Sequence, residues 1–239
     1  MNLDRAVVLI TGASSGIGAA TARAAGHAGA RLVLLARRED RLRQLAAELP
    51  DAVAVPCDVT DPAQVARATR TALDAFGRID VVVNNAGQGI EIAVDRVDPD
   101  DFRALLELNL LAPLIVLQAV VPVMRDQGAG TIVNVSSGAT FGAFPGTGPY
   151  SATKAALSQL GAVARAELTG AGVTVSTVYP SLTRTDFFTA LRGPAQTAED
   201  DLVDAQTPEQ VADVILGLVR SGEAEADLVP VELGGTFTG

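Results

Sequence analysis

A glycine-rich turn near the start of the chain constrains the fold most. Thr11 to Gly18 reads T-G-A-S-S-G-I-G and joins an apolar run, Ala6 to Ile10, to an Ala-rich helical stretch over residues 15–28. Glycines at 12, 16 and 18 match three needs of a strand-to-helix turn set against a phosphate. One allows the tight turn, one lets the backbone approach, and one lets the helix pack on the sheet. The helix N-terminus then faces the phosphates. At the opening of a βαβ unit, this pattern points to a dinucleotide site rather than a plain turn.

The rest of the chain repeats the alternation. Arg31 to Ala36 reads as a second strand and Glu39 to Leu49 as a helix with acids in its first turn. Ala52 to Cys57 is a third strand, and Asp61-Pro62 opens a helix ending near Gly77, with Asp as N-cap and Pro at the first position. Ile79 to Asn84, Thr131 to Ser136, Val173 to Tyr179 and Asp227 to Val231 complete the strands. Between them lie a long helix from Asp98-Pro99 to about Gln127, a helix over 149–168, and another from Pro208 to Arg220. Unbroken apolar strands alternating with helices predict an α/β, doubly wound, mostly parallel seven-stranded sheet with helices on both faces. No composition break divides it, so residues 1–239 read as one domain.

Leu108 to Met124 is apolar apart from Asn109, Gln118 and two prolines. Those breaks, and its place inside a βαβ series, argue against a membrane span. A helix apolar all round must be covered twice. The sheet covers one side, and a second subunit is a natural cover for the other, giving a homodimer or homotetramer.

Composition excludes several classes. A net charge of −10 argues against nucleic acid or an anionic membrane as partner. The single cysteine, Cys57, forms no internal disulfide, which fits a reducing, cytoplasmic setting. The single histidine, His27, leaves no multi-His metal site or His-based triad, so no metal is expected. Ala6 to Ile10 is too short for a signal-peptide core and runs straight into the glycine turn.

Ligand-facing candidates sit at strand ends. A dinucleotide fold usually has an acid after its second strand for the adenosine ribose. Here Ala36 is followed by Arg37-Arg38. Two cations before a helix N-terminus are disfavoured unless something anionic meets them. They read as a clamp for a 2′-phosphate, hence NADP(H) over NAD(H), with Arg37 the main contact; Arg38 can instead point to solvent. The alternative is two solvated arginines softened by Glu39 and Asp40. Asp58, in C-D-V-T, stands beside the adenine or serves as a turn residue. Asn84-Asn85-Ala86-Gly87 closes the fourth strand at the ligand crevice. Asn109 lies four residues before Pro113, whose missing N–H frees the Asn109 carbonyl. That carbonyl is then open to a water, or the helix is merely kinked.

A last group carries acid–base chemistry. Ser137 precedes Tyr150 by thirteen residues, and Lys154 follows one helical turn after Tyr150. Of 18 Lys and Arg side chains, Lys154 is the only lysine. A compact ammonium can favour the phenolate, and a tuned Tyr exchanges a proton with a carbonyl or alcohol oxygen.

Together T-G-x-x-x-G-x-G at 11–18, N-N-A-G at 84–87, Asn109, Ser137 and Y-x-x-x-K at 150–154 resemble the short-chain dehydrogenase/reductase family, in its roughly 250-residue single-domain branch. The likeness covers nearly the whole chain. It implies Ser137 positioning the carbonyl and Tyr150 as general acid/base. It implies Lys154 tuning Tyr150 and binding the nicotinamide ribose, and an Asn109 carbonyl ordering a relay water. It implies cofactor contacts from Gly12, Ser14, Ser15, Gly16, Ile17 and Gly18, then from Asp58 and Val59, and from Asn85, Ala86 and Gly87. Beyond the sixth strand it implies Pro180, Thr183 and Thr185. Two departures stand out. Ser181 replaces the family's usual Gly after Pro180, and no Asp precedes Gly234-Gly235 near the chain end.

Residues 182–206 are expected to form a substrate lid. Phe141, Phe144, Phe187 and Phe188 either line an apolar pocket or pack as ordinary core. The expected function is an NADP(H)-dependent oxidoreductase moving a hydride between the nicotinamide and a small apolar ketone, aldehyde or secondary alcohol. The competing reading is a catalytically silent nucleotide sensor on the same fold, which need not keep Ser137, Tyr150 and Lys154 together.

Overall fold

The computed structural model describes residues 1–187, 191–192 and 205–237. Its strands are β1 (Val7–Thr11), β2 (Arg31–Ala36), β3 (Ala52–Pro56), β4 (Val81–Asn84), β5 (Gly130–Val135), β6 (Val173–Tyr179) and β7 (Glu225–Asp227). They form one seven-stranded sheet in the order β3-β2-β1-β4-β5-β6-β7. Every neighbouring pair is parallel. The helices are α1 (Gly16–His27), α2 (Glu39–Ala47), α3 (Pro62–Phe76), α4 (Pro99–Leu106), α5 (Ala112–Gln127), α6 (Gly148–Leu168) and α7 (Pro208–Ser221).

Strand alternation splits the core in two. Val8 and Ile10 of β1 pack with α1, α2 and α7 on one face. Val7 and Leu9 pack with α3, α5 and α6 on the other. Burying each such side chain contributes roughly 1.5–3 kcal/mol, which is why the central strands carry no polar face. The chain leaves β1 for β2 on one side and returns to β4 on the other. This reversal opens a crevice beyond the C-terminal ends of β1 and β4.

The helix starts follow their caps. The Asp61 carboxylate accepts from Ala63 and Gln64 N–H ahead of α3, and Asp98 accepts from Asp100 N–H ahead of α4. Most boundaries fall within two residues of the pattern-based expectation, and two strand boundaries that differ have a clear physical cause. The fourth strand begins at Val81: the Ile79 N–H and carbonyl are taken by the Gln127 side-chain amide, at 3.0 and 2.8 Å, instead of by a neighbouring strand. The last strand is Glu225–Asp227 rather than Asp227 to Val231. There Asp227 accepts from Val229 N–H at 3.1 Å and turns the chain, and Pro230 has no N–H for a ladder.

The long helix is not continuous either. Residues Glu107–Leu111 form a π-turn between α4 and α5, closed by Ala112 N–H on the Glu107 carbonyl. Pro113 cannot donate to Asn109 as an α-helix requires, and widening the turn by one residue accommodates this. By length and composition Pro99–Gln127 would suffice to cross a membrane. In the fold it lies on the sheet, with Val116, Val120 and Met124 buried against it.

Candidate active site

The glycine turn leads β1 into α1 at the mouth of the crevice. Gly12 has φ +67°, and a Cβ there would stand 2.9 Å from Ala86 Cα. A Cβ on Gly18 would stand 2.5 Å from the Gly12 carbonyl oxygen. No side chain caps α1 at Ser15, so its first N–H groups remain available to an anion.

The N-N-A-G segment staples this turn to β4. Thr11 Oγ1 accepts from Asn85 N–H and Ala86 N–H, both at 3.0 Å. Asn85 Nδ2 donates to the Thr11 carbonyl at 3.0 Å. Asn84 Nδ2 donates to Asn134 Oδ1 across to β5 at 2.9 Å. Thr11 was not singled out in the sequence, because a threonine ending an apolar strand carries no mark of its partners.

Beyond β2, Arg37 and Arg38 line the same cleft as Gly12 and Ser15. Arg38 is exposed yet held in place. Its Nη2 donates to Ser14 Oγ at 2.9 Å and to Ser15 Oγ at 2.6 Å, folding it over the glycine turn. Arg37 makes no hydrogen bond or ion pair with any described residue. Asp58 lines the cleft and also makes a turn, accepting from Thr60 N–H at 3.0 Å. Val59 and Gly87 join it in the cleft wall.

At the other end, Ser137 follows β5, and Tyr150 and Lys154 lie one turn apart on α6. All three face one cleft of about 620 Å³ with the glycine turn. Lys154 is 4% exposed, donates Nζ to the Val135 carbonyl at 2.9 Å, and sits 5.9 Å from the Tyr150 ring centre. Burial pulls its pKa down to about 8. Burial also pushes the Tyr150 phenol up, opposed by a hydrogen bond with Ser137.

Asn109, fully buried in the π-turn, uses its whole side chain. Nδ2 donates to the Gln88 carbonyl at 2.9 Å and to Thr153 Oγ1 at 3.0 Å, and Oδ1 accepts from Gln88 N–H at 2.9 Å. A Cβ on Gly87 would stand 3.2 Å from Asn109 Oδ1 and 3.3 Å from Lys154 Nζ, so glycine keeps those two groups clear. Gln88 and Thr153 were not anticipated. The available hint was a polar residue between Tyr150 and Lys154 on a helix face that must be buried.

Pro180, Thr183 and Thr185 line the cleft, as does Ser181. The segment is anchored at its root: Gln206 N–H donates to the Leu182 carbonyl, and Arg184 N–H to that of Gln206. Arg41 on α2 reaches Asp186 at 3.1 Å. Phe187 packs on Tyr150 with ring centres 5.6 Å apart, and Phe144 also lines the cleft. Phe141 instead meets Tyr179 edge-on at 5.2 Å. Phe188 and much of the expected lid lie outside the described residues. Among the described residues no group of three or more His, Cys, Asp or Glu is placed to hold a metal ion.

Comparison with known proteins places this geometry. Residues 6–195 match the family model described as short chain dehydrogenase. Sulfoacetaldehyde reductase 2 of Chromohalobacter salexigens is 39% identical over 87% of this chain and 84% of its own. A 3-ketoacyl-(acyl-carrier-protein) reductase from Brucella melitensis, solved with NADH, superposes with TM-score 0.86 at 26% identity, covering 94% of this chain and 98% of that one. A short chain dehydrogenase/reductase from Burkholderia phymatum, solved with NAD, gives 0.89 at 26% identity over 98% and 92%.

Proposed function

The chain belongs to the short-chain dehydrogenase/reductase family, oxidoreductases acting on CH–OH and C=O groups with a nicotinamide cofactor, and we propose that it is an NADP(H)-preferring carbonyl reductase or alcohol dehydrogenase for small or medium apolar substrates. The observation that carries this reading is the convergence of Ser137, Tyr150 and Lys154 on the cleft that the glycine turn opens. That convergence supports turnover over a silent nucleotide sensor.

The cleft suits a dinucleotide. Glycines at 12 and 18 let the turn close against Ala86, Asn85 and its own backbone, and the uncapped start of α1 offers N–H donors to a pyrophosphate. When bound, the cofactor supplies or accepts a hydride at its nicotinamide ring. Tyr150 gives a proton to the carbonyl oxygen in reduction and takes one in oxidation. Ser137 holds that oxygen with its hydroxyl. Lys154 would bind the cofactor's ribose and, with a water held on the Asn109 carbonyl, would resupply the proton to Tyr150. Asp58, Val59 and the Asn85–Gly87 segment, with Pro180, Thr183 and Thr185, line the cleft and would hold the cofactor there.

Cofactor preference rests on this chain's own arginines, since the two structural neighbours were solved with NADH and NAD. Arg37 has no described protein partner to give up, so its guanidinium is available to a 2′-phosphate. A charge-assisted contact of roughly 1.5–3 kcal/mol corresponds to about one to two powers of ten in affinity. Wild type is expected to favour NADPH in kcat/KM. Arg37→Ala should narrow the ratio by lowering the NADPH value alone. Arg38→Ala, which also frees Ser14 and Ser15, should lower both. An NADH preference in wild type, or equal losses in Arg37→Ala, would leave the arginines as solvated surface.

The name of the Chromohalobacter relative supports reduction of a small aldehyde, but a sulfonated aldehyde is anionic and gives no support to the apolar class, which rests on this chain's own cleft wall. A homodimer or homotetramer fits the outer surface of the π-turn and α6, where Leu111 is 38% and Val163 43% exposed. Sedimentation at micromolar concentration is expected to give a species larger than a monomer; a monomer would rule out that assembly. A cytoplasmic setting fits the buried, unpaired Cys57.

A further inference from the structure

We propose that Thr153 is a positioning residue for proton resupply: its hydroxyl ties the Asn109 side chain to the Tyr150 turn of α6 and so holds the Asn109 carbonyl in register with Lys154. This rests on the oxidoreductase reading and adds a residue to its proton path.

The helical ladder does not fix the direction of the Asn109 carbonyl. Asn109 lies in the π-turn Glu107–Leu111, and Pro113 has no N–H to offer it. The side chain supplies the constraint. Nδ2 donates to the Gln88 carbonyl at 2.9 Å and to Thr153 Oγ1 at 3.0 Å, and Oδ1 accepts from Gln88 N–H at 2.9 Å. Thr153 Oγ1 has a single proton, which it donates to the Tyr150 carbonyl at 2.8 Å. Toward Asn109 it is therefore an acceptor. That settles the amide orientation, with nitrogen toward Thr153 and oxygen toward the Gln88 N–H. The segment after β4, the π-turn and α6 all meet at this amide.

Packing alone gives Thr153 little reason to be polar. It and Asn109 are fully buried, so no solvent competes for their hydrogen bonds. A β-branched hydroxyl bonded back to the preceding turn is mildly unfavourable inside a helix, and valine has the same outline without that bond. Valine could not accept from Asn109, whose Nδ2–H would then be buried without a partner. The hydroxyl also sits where spacing matters. Thr153 follows Tyr150 by three residues and immediately precedes Lys154. Lys154 Nζ and Asn109 Oδ1 lie 3.3 and 3.2 Å from the point a Gly87 Cβ would take, so Asn109 and the ammonium border the same glycine. By clamping Asn109 to the Tyr150 carbonyl, the hydroxyl sets the residue that holds the water against the two that pass the proton.

Lys154 is the only lysine, so full-length protein grown on lysine labelled with ¹³C at Cε gives one side-chain signal to follow by NMR against pH. The titration is read with NADP⁺ bound in wild type, Thr153→Val and Thr153→Ser. When Asn109 slackens, the ammonium loses part of its water acceptor, so the Lys154 midpoint in Thr153→Val should fall by roughly 0.5. Thr153→Ser keeps the hydroxyl and should follow wild type. Reduction of benzaldehyde by NADPH should lose about tenfold in kcat in Thr153→Val, with KM for NADPH within a few-fold of wild type. The solvent deuterium isotope effect on kcat should grow as proton resupply slows. Thr153→Ala repeats the reading should valine disturb folding. A merely structural threonine would lower the melting temperature of the variants but leave the Lys154 midpoint and the isotope effect at their wild-type values; that result would overturn the inference, as would a Ser variant displaced as far as Val. Absence of wild-type turnover would instead count against the oxidoreductase reading, and the Lys154 midpoints would still decide the role of Thr153.

Discussion

Tyr150→Phe lowers kcat by about two to four powers of ten while the Kd for NADPH stays within a few-fold of wild type. The substitution removes one hydroxyl and keeps the ring. Its packing on Phe187, 5.6 Å between centres, is apolar and survives the change. Ser137 loses one partner but still accepts from Ala139 N–H at 3.1 Å, so the wall keeps its shape. What disappears is the proton donor. The raised phenol pKa gives the loss a direction with pH. A phenol that holds its proton above the ordinary range is ready to donate at neutral pH, so wild-type reduction should be flat there. Oxidation needs the phenolate and should climb as the solution becomes more alkaline. Steady-state NADPH absorbance in both directions, with calorimetry for cofactor binding, measures all of this. A kcat within tenfold of wild type would remove Tyr150 from the chemistry.

The sequence made the scaffold legible because its cues are local. Strands buried on both faces must be apolar throughout, and Asp61-Pro62 and Asp98-Pro99 mark helix starts by the N–H groups they satisfy. The glycine spacing carried the turn because a Cβ at Gly12 or Gly18 has no room. What stayed hidden depends on partners far along the chain. Asn109 was noticed for its carbonyl, yet its side chain binds Gln88 and Thr153, 21 and 44 residues away. Arg37 and Arg38 are adjacent and alike, and only a side-chain rotamer decides which lies over Ser14 and Ser15. The π-turn was half visible: Pro113 announced a lost hydrogen bond, while the choice between a kink and a widened turn depends on how α4 and α5 pack. The shift of β7 has the same character, since it takes Asp227 turning back on Val229 to end the strand.

Lys154→Met is expected to abolish turnover and to stabilise the cofactor-free protein in one step. The ammonium is buried at 4% exposure with a single hydrogen bond, to the Val135 carbonyl, and no ion pair among the described residues includes it. Burial brings its pKa from 10.5 to about 8. At about 1.4 kcal/mol per pKa unit, holding that charge in the fold costs on the order of 3 kcal/mol near neutral pH. The sign follows from proton counts. Below about pH 8 the lysine is charged in both states and the cost is present in full. Between about 8 and 10.5 the unfolded chain binds more protons than the folded one, so wild-type stability rises with pH. Methionine matches the length of the stem without the charge. Its Tm should therefore exceed wild type by several degrees at pH 7, at roughly 2–4 °C per kcal/mol for a chain of this size. The margin should shrink steadily toward pH 10. Turnover should fall with it by orders of magnitude, because neither ribose binding nor proton resupply has another cation to use: the other 17 Lys or Arg positions are all arginine, and among the described residues none of them lines the cleft beside Tyr150. Scanning calorimetry of both proteins from pH 6 to 10, beside NADPH assays, separates the two effects. A Met variant that melts at or below wild type throughout would show that the buried ammonium carries no such cost, and one that still turns over would show that Tyr150 works without it.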